Sequence, residues 1–314
     1  MGKSSSAKCA ASGVIELISN SKFQIPNFKQ IFCLTFFVCA FVNLSVRFVT
    51  AQTVENLPEQ IRFGTDEVKR DALFQIRNLR SETASRIAIP ALKDSSEIVR
   101  ATATFSIIYL PKEESFSLLA PLLQDKSAIV RRETAYALGK IQNPNAVILL
   151  IRLFQKDKII EVKNAAIVAL GEIGEVAAIE TLTKLFASKP NDDNEFQRRS
   201  AARSIGQIAQ IFQINKSYTV TPENFLPEQY KTFTLEKYEN LSANLPQFRA
   251  AVPVLIKVLQ NSKESDDTKR ESAFALGAIG DISAIQILRQ NLNSPDYYLA
   301  EICKESLVKI QNSN

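Results

Sequence analysis

Asp94 and Arg100, Asp125 and Arg131, and Asp157 and Lys163 each stand six residues apart. A carboxylate in a turn can cap the helix that follows, while a cation at that distance reaches the same turn or its neighbour. Repeated in stacked units, such pairs would form a ladder of charges, a structural device rather than a catalytic one. The chain contains no His, and Met1 is its only Met. Ser-His-Asp, Cys-His and His-metal mechanisms are therefore excluded, because each needs an imidazole. Of the four cysteines, Cys9, Cys33 and Cys39 fall in the first 40 residues, leaving Cys303 alone in the body. That arrangement provides neither an internal disulfide framework nor a Cys-based zinc site. Cys303 lies in an apolar-periodic stretch and reads as a small buried hydrophobe.

Asp192-Asp193 and Asp266-Asp267 read as solvated turns without the ligand spacing of a calcium loop. No Gly-rich phosphate loop is present; the glycines stand in an A-L-G setting, which is a packing feature. On these grounds no catalytic, cofactor-binding or metal-binding residues are assigned. The chain is expected not to be an enzyme.

The elements that carry these residues are repeats. VRRETAYAL, with Arg131 as its marker, recurs as VKRDALFQI (Lys69), VRATATFSI (Arg100), VKNAAIVAL (Lys163), QRRSAARSI (Arg198) and TKRESAFAL (Lys269), with a weaker seventh copy, ICKESLVKI (Cys303). The marker spacings are 31, 31, 32, 35, 71 and 34, where 71 is either two periods or one period plus an insertion. Between markers, stretches such as NAVILLIRLFQKD carry apolar residues at i, i+3, i+4 and i+7, the pattern of an amphipathic helix of about three turns. Each repeat is then two antiparallel helices, A and B, and only stacking buries both apolar faces. Gly139, Gly171, Gly174, Gly206, Gly277 and Gly280 fall at or just past the ends of B helices. Glycine there can close the helix in the left-handed conformation and lets the next helix approach closely.

The segments D-x-x-x-x-V-R-R-E-T-A-Y-A-L-G-K-I and V-K-N-A-A-I-V-A-L-G-E-I-G resemble HEAT-like repeats of the phycobilisome-lyase type, over about 66–212 and 250–311. With the repeats, this predicts an all-α, right-handed α-solenoid of the armadillo/HEAT-like kind, a superhelix of about seven helix pairs. The resemblance also implies two possible activities. One is a bilin-lyase-like or chaperone-type accessory role on phycobiliproteins; the other is that of deoxyhypusine hydroxylase. Proteins like the hydroxylase hold iron with His-Glu motifs, for which this chain has no His.

On the B-helix wheel, Val130, Thr134, Leu138 and Ile141 share the core side. The nearly opposite position reads Phe74, Phe105, Tyr136, Val168, Arg203, Phe274 and Val308 across the copies. Members of the family commonly place polar residues there, on the concave face. The first six of these residues are the candidate partner-binding set, flanked by Arg132, Glu133, Arg199, Arg270 and Glu271. The competing reading is secondary core, with the column covered by curvature or by the insertion.

Residues 1–51 form a leader, 52–212 and 250–314 the repeats, and 213–249 an irregular insertion with a possible short helix around 227–241. The leader has five basic residues against Glu16, and the rest of the chain has 33 basic and 32 acidic residues, a balance that argues against a nucleic-acid partner. The uncharged run 31–46 behind Lys22 and Lys29 reads as a secretory signal cleaved after Ala51, or as an uncleaved anchor helix. Either way the repeats are expected outside the cytoplasm, with membrane contact only through this segment. Asn215-Lys-Ser217 and Asn240-Leu-Ser242 match the glycosylation sequon. The function expected from these residues is that of a non-catalytic scaffold binding a protein partner along the concave face.

Overall fold

A computed structural model of the chain describes residues 56–214 and 238–311. The leader, and with it the expected signal or anchor helix, lies outside the described residues, as do Asn215 and most of 227–241. The regular secondary structure of the described residues is helical. Seven helix pairs follow in order. They are α1 (Leu57–Phe63) with α2 (Asp66–Leu79), α3 (Glu82–Ala88) with α4 (Glu97–Ser106), and α5 (Lys112–Leu119) with α6 (Ala128–Ile141). Then come α7 (Ala146–Lys156) with α8 (Ile160–Ile173) and α9 (Ile179–Phe186) with α10 (Glu195–Ile214). After the short α11 (Leu241–Asn244), α12 (Pro246–Gln260) pairs with α13 (Asp266–Ile279), and α14 (Ile285–Gln290) with α15 (Tyr297–Gln311).

The second helix of each pair packs on the corresponding helix before and after it, so α2, α4, α6, α8, α10, α13 and α15 form one continuous B layer. Because α10 packs directly on α13, the 71-residue spacing is one period plus an insertion. The core side of α6 is as its wheel requires, with Val130, Thr134, Leu138 and Ile141 all buried.

The A helices depart from simple three-turn rods. After α3 and α5 the chain tightens into 3₁₀ turns, Ile89–Lys93 and Ala120–Gln124, each with proline near its start (Pro90, Pro121). Proline lacks an amide hydrogen and crowds the preceding turn, so an α-helix cannot continue through it unaltered.

Four of the six A-L-G-type glycines act by proximity. A Cβ on Gly139 would lie 3.0 Å from the Ala169 Cα, and one on Gly277 would lie 2.7 Å from the Ser306 Cα, each on the next B helix. Gly171 and Gly206 face Ser204 and the Phe274 ring in the same way. Serines stitch the layer: Ser204 and Ser306, opposite Gly171 and Gly277, donate hydrogen bonds to the carbonyls of Ile167 and Ala273 on the preceding B helix, and Ser106 does the same to Leu73. Of these six glycines, Gly174 (φ 84) and Gly280 (φ 78) close helices in the left-handed region. Arg80 (φ 47) and Gln142 (φ 51) do the same job without that freedom.

The charge ladder exists, in a more specific register than a turn and its own cation. Lys69 Nζ binds Asp94 Oδ2 at 2.7 Å, Arg100 grips Asp125 through Nε and Nη2 at 2.9 Å each, and Arg131 grips Asp157 at 2.7 and 3.1 Å. Each cation therefore holds the acid of the following repeat. Arg100 and Arg131 also donate Nη1 to the carbonyls of Asp94 and Asp125 in their own turns. Oδ1 of each carboxylate also accepts the amide two residues on, from Ser96, Ser127 or Ile159. In the sixth copy Arg270, not the marker Lys269, holds the next acid, Asp296, at 2.7 and 3.0 Å. Cys303, at the marker position of the last copy, is fully buried, and burial pushes its thiol up to about 12.

This ladder predicts an acid limb in stability. Burial alone would raise the carboxyls of Asp94, Asp125 and Asp157, but hydrogen bonds from the paired cation and the turn amide outweigh it and hold them below the usual range. At Asp296 the Arg270 hydrogen bond is the largest effect, in the same direction. Groups with lowered folded pKa add stability that is complete above their unfolded value, about 3.9, and lost as pH falls through the folded value. Urea midpoints are therefore expected to change little between pH 7 and 5 on this account and to fall below about pH 4. Asp125→Asn should flatten that fall.

Candidate functional site

The B helices bring most of the predicted column to one face. Phe74 on α2 is 44% exposed, and Phe105 on α4 is half-buried with the Arg77 guanidinium 4.8 Å from its ring centre. Tyr136 on α6 and Val168 on α8 are also half-buried. Burial raises the Tyr136 phenol, opposed by Arg132 and reinforced by Glu133 and Glu172. Arg203 on α10 donates to Glu271 Oε1 at 3.0 Å. Phe274 on α13 is only 5% exposed, its ring seated over Gly206.

Two depressions open on this face. The smaller, ≈ 200 Å³, is lined by Phe74, Arg77, Ile98, Phe105, Ile129 and Glu133. The larger, ≈ 600 Å³, spans α8, α10, α13 and α15, with Val168, Phe196, Arg203, Phe274, Tyr298 and Ile302 in its lining. Tyr136 is in the lining of neither.

Sequence reasoning missed half of this surface. Ile98, Ile129 and Phe196 each stand two residues before the marker and are exposed, Phe196 at 41%. They precede Phe105, Tyr136 and Arg203 by seven residues, two helical turns, and so share their face about 10 Å away. The i, i+7 relation was available in the repeats; a single column at one wheel position hid it.

The rim of the larger depression is charged and internally paired. Arg199 Nη1 binds Asp267 Oδ2 at 2.6 Å, and Arg270 Nη1 binds Asp267 Oδ1 at 2.5 Å. Arg199 lies over the Phe196 ring at 5.4 Å and Arg270 over the Tyr298 ring at 5.3 Å. Burial raises the Glu271 carboxyl, against the pull of Arg203. Each guanidinium lies against an aromatic ring of the lining, a contact that strengthens where water is excluded.

Models of HEAT repeats match residues 85–167 and 119–206, and the model of the PBS lyase HEAT-like repeat matches 268–294. The chain is a HEAT-like repeat protein. Among curated relatives, deoxyhypusine hydroxylase of Gallus gallus is 36% identical over 63 residues, 20% of this chain and 21% of the relative. The chain thus spans about a fifth of the length of the curated relatives it matches. An engineered protein of known structure has a TM-score of 0.50 at 19% identity, covering 85% of this chain and 70% of its own; it shares the fold. The complex of CpcE and CpcF of phycocyanin lyase from Nostoc sp. PCC7120 has a TM-score of 0.45 at 19% identity, covering 83% and 89%.

These relatives correct the expectation that the chain is not an enzyme, since the matched curated proteins are named as one. The inference from missing His was too broad. It removes imidazole chemistry, not catalysis as a class. The iron that the resemblance to the hydroxylase implies would lack the His of its His-Glu motifs, since the chain has none; the described residues contain no cluster of three or more Cys, Asp or Glu placed to hold a metal ion.

Proposed function

We propose that the B-helix face of this HEAT-like solenoid binds a protein partner, which seats apolar side chains in the two depressions. What supports this is the exposure of Phe74, Ile98, Ile129 and Phe196 on one face, beside two openings with stacked arginines. Exposed apolar side chains grouped beside such openings ordinarily mark a binding surface. The run at 31–46 supports delivery of the repeats across a membrane; a mature N-terminus at Gln52 would agree with cleavage, and an intact leader in the membrane fraction with an anchor.

The test uses the full chain as bait, with Phe74→Ser and Phe196→Ser as variants. Both side chains are open, so each variant should change the unfolding free energy by no more than about 0.5 kcal/mol while partner capture falls. Unchanged capture by both, or a large loss of stability in either, would remove the proposal. A second reading, an accessory role in bilin attachment, is favoured by the PBS lyase HEAT-like match over 268–294, which includes the α13 wall of the larger depression. Covalent bilin transfer to an apo-phycobiliprotein, read by absorbance, would select it.

A further inference from the structure

The opposite layer holds a different kind of opening. Although the insertion separates them in sequence, α9 and α12 are packed neighbours, and between them lies a cavity of ≈ 570 Å³. Its walls include Phe186, Pro253, Val254 and Val258. Its one carboxylate, Glu264, is held by Arg198 at 2.6 and 2.9 Å, with both side chains almost fully buried. Two exposed cations, Lys189 and Lys257, also line it, and among the described residues neither has a carboxylate within ion-pair distance.

Both lysines stand on ordered backbone. Lys257 is one turn after Pro253 on α12. Lys189 is in the turn between α9 and α10, where Asn191 and Asn194 each accept the other's amide through the side chain (3.1 and 2.9 Å) and Asn194 Nδ2 donates to the Lys189 carbonyl. The cavity thus joins apolar walls to an uncompensated charge of two lysines, and low-dielectric walls focus such a field. Its volume falls within the roughly 300–1,000 Å³ of ordinary small-ligand sites.

We infer that the cavity between α9 and α12 binds a small amphiphilic anion, a short apolar chain bearing one carboxylate-like head. The chain lies along Phe186, Val254 and Val258, and the head meets Lys189 and Lys257. Arg198 and Glu264 satisfy each other and do not compete for it.

Titration calorimetry of the full chain with octanoate and with its neutral counterpart octanamide tests the assignment. The expected result is one octanoate per chain, bound at least tenfold tighter than octanamide. Lys189→Glu combined with Lys257→Glu should bring octanoate to the octanamide level with an unchanged melting temperature. Should that double variant melt early, Lys257→Gln alone is expected to weaken octanoate about threefold and leave octanamide unaffected. Equal binding of the two compounds, no octanoate binding, or a preference that survives the lysine substitutions would overturn the proposal.

Discussion

Arg198→Ala is expected to lower the unfolding free energy by about 3–5 kcal/mol, and Glu264→Ala by a similar amount. Their side chains are 2% and 3% exposed, the guanidinium grips the carboxylate with two bonds, and Arg198 Nε also donates to the Phe186 carbonyl at 3.2 Å. Removing one partner strands the other's charge away from water, which costs more than the pair contributes when intact. Arg198→Met with Glu264→Leu removes both charges and should recover much of the loss. The pair also joins the fifth helix pair to the sixth across the insertion, so its failure should be visible as lost cooperativity. A repeat stack is a chain of nearest-neighbour interfaces, and weakening one lets its two sides unfold apart. Urea denaturation of the single variants should then show a shallower or two-step transition. A loss below about 1 kcal/mol would mean that the pair is solvated in solution.

Gly277→Ala is expected to destabilise by about 1–3 kcal/mol, as overpacking does. The sign is informative, because alanine inside a helix is ordinarily worth up to about 1 kcal/mol more than glycine. Gly277 lies within α13, and its added Cβ would meet the Ser306 side chain and, at 2.7 Å, the Ser306 Cα. Backbone cannot move aside as a side-chain tip can, so α15 must shift and the bond from Ser306 Oγ to the Ala273 carbonyl (2.8 Å) is strained. Thermal melting compares this variant with Gly139→Ala, where the nearest obstacle is the Glu172 carboxylate tip. A higher melting temperature for Gly277→Ala would show that the layers have slack.

The repeats were legible because one letter pattern recurs at a nearly constant period, and each copy needs its neighbours to bury its faces. Stacking across the insertion was not legible: 71 residues fit one period or two equally well, and only the packing of α10 on α13 decides between them. The charge pairs were found, but their register was not. The six-residue spacing left the same turn and its neighbour open, and the side chain of Arg100 reaches both, the Asp94 carbonyl in its own turn and Asp125 one repeat onward. Phe274 shows the limit of a helical wheel: it shares a wheel position with the exposed Phe74, yet Gly206 on the adjoining helix leaves a space that its ring fills. A wheel describes one helix, and burial is decided by the neighbour.

The direction of the charge rungs gives the stack a polarity. At Lys69, Arg100, Arg131, Arg198 and Arg270 the cation comes from the earlier repeat and the anion from the later one. A cut between two such repeats therefore leaves a bare cation on the upstream fragment and a bare carboxylate on the downstream one, each beside the apolar face that it used to seal. The ends are matched like plug and socket. Two halves made separately carry the instructions for rejoining in one order, and a repeat lifted out or duplicated fits only where it both receives and offers such a contact.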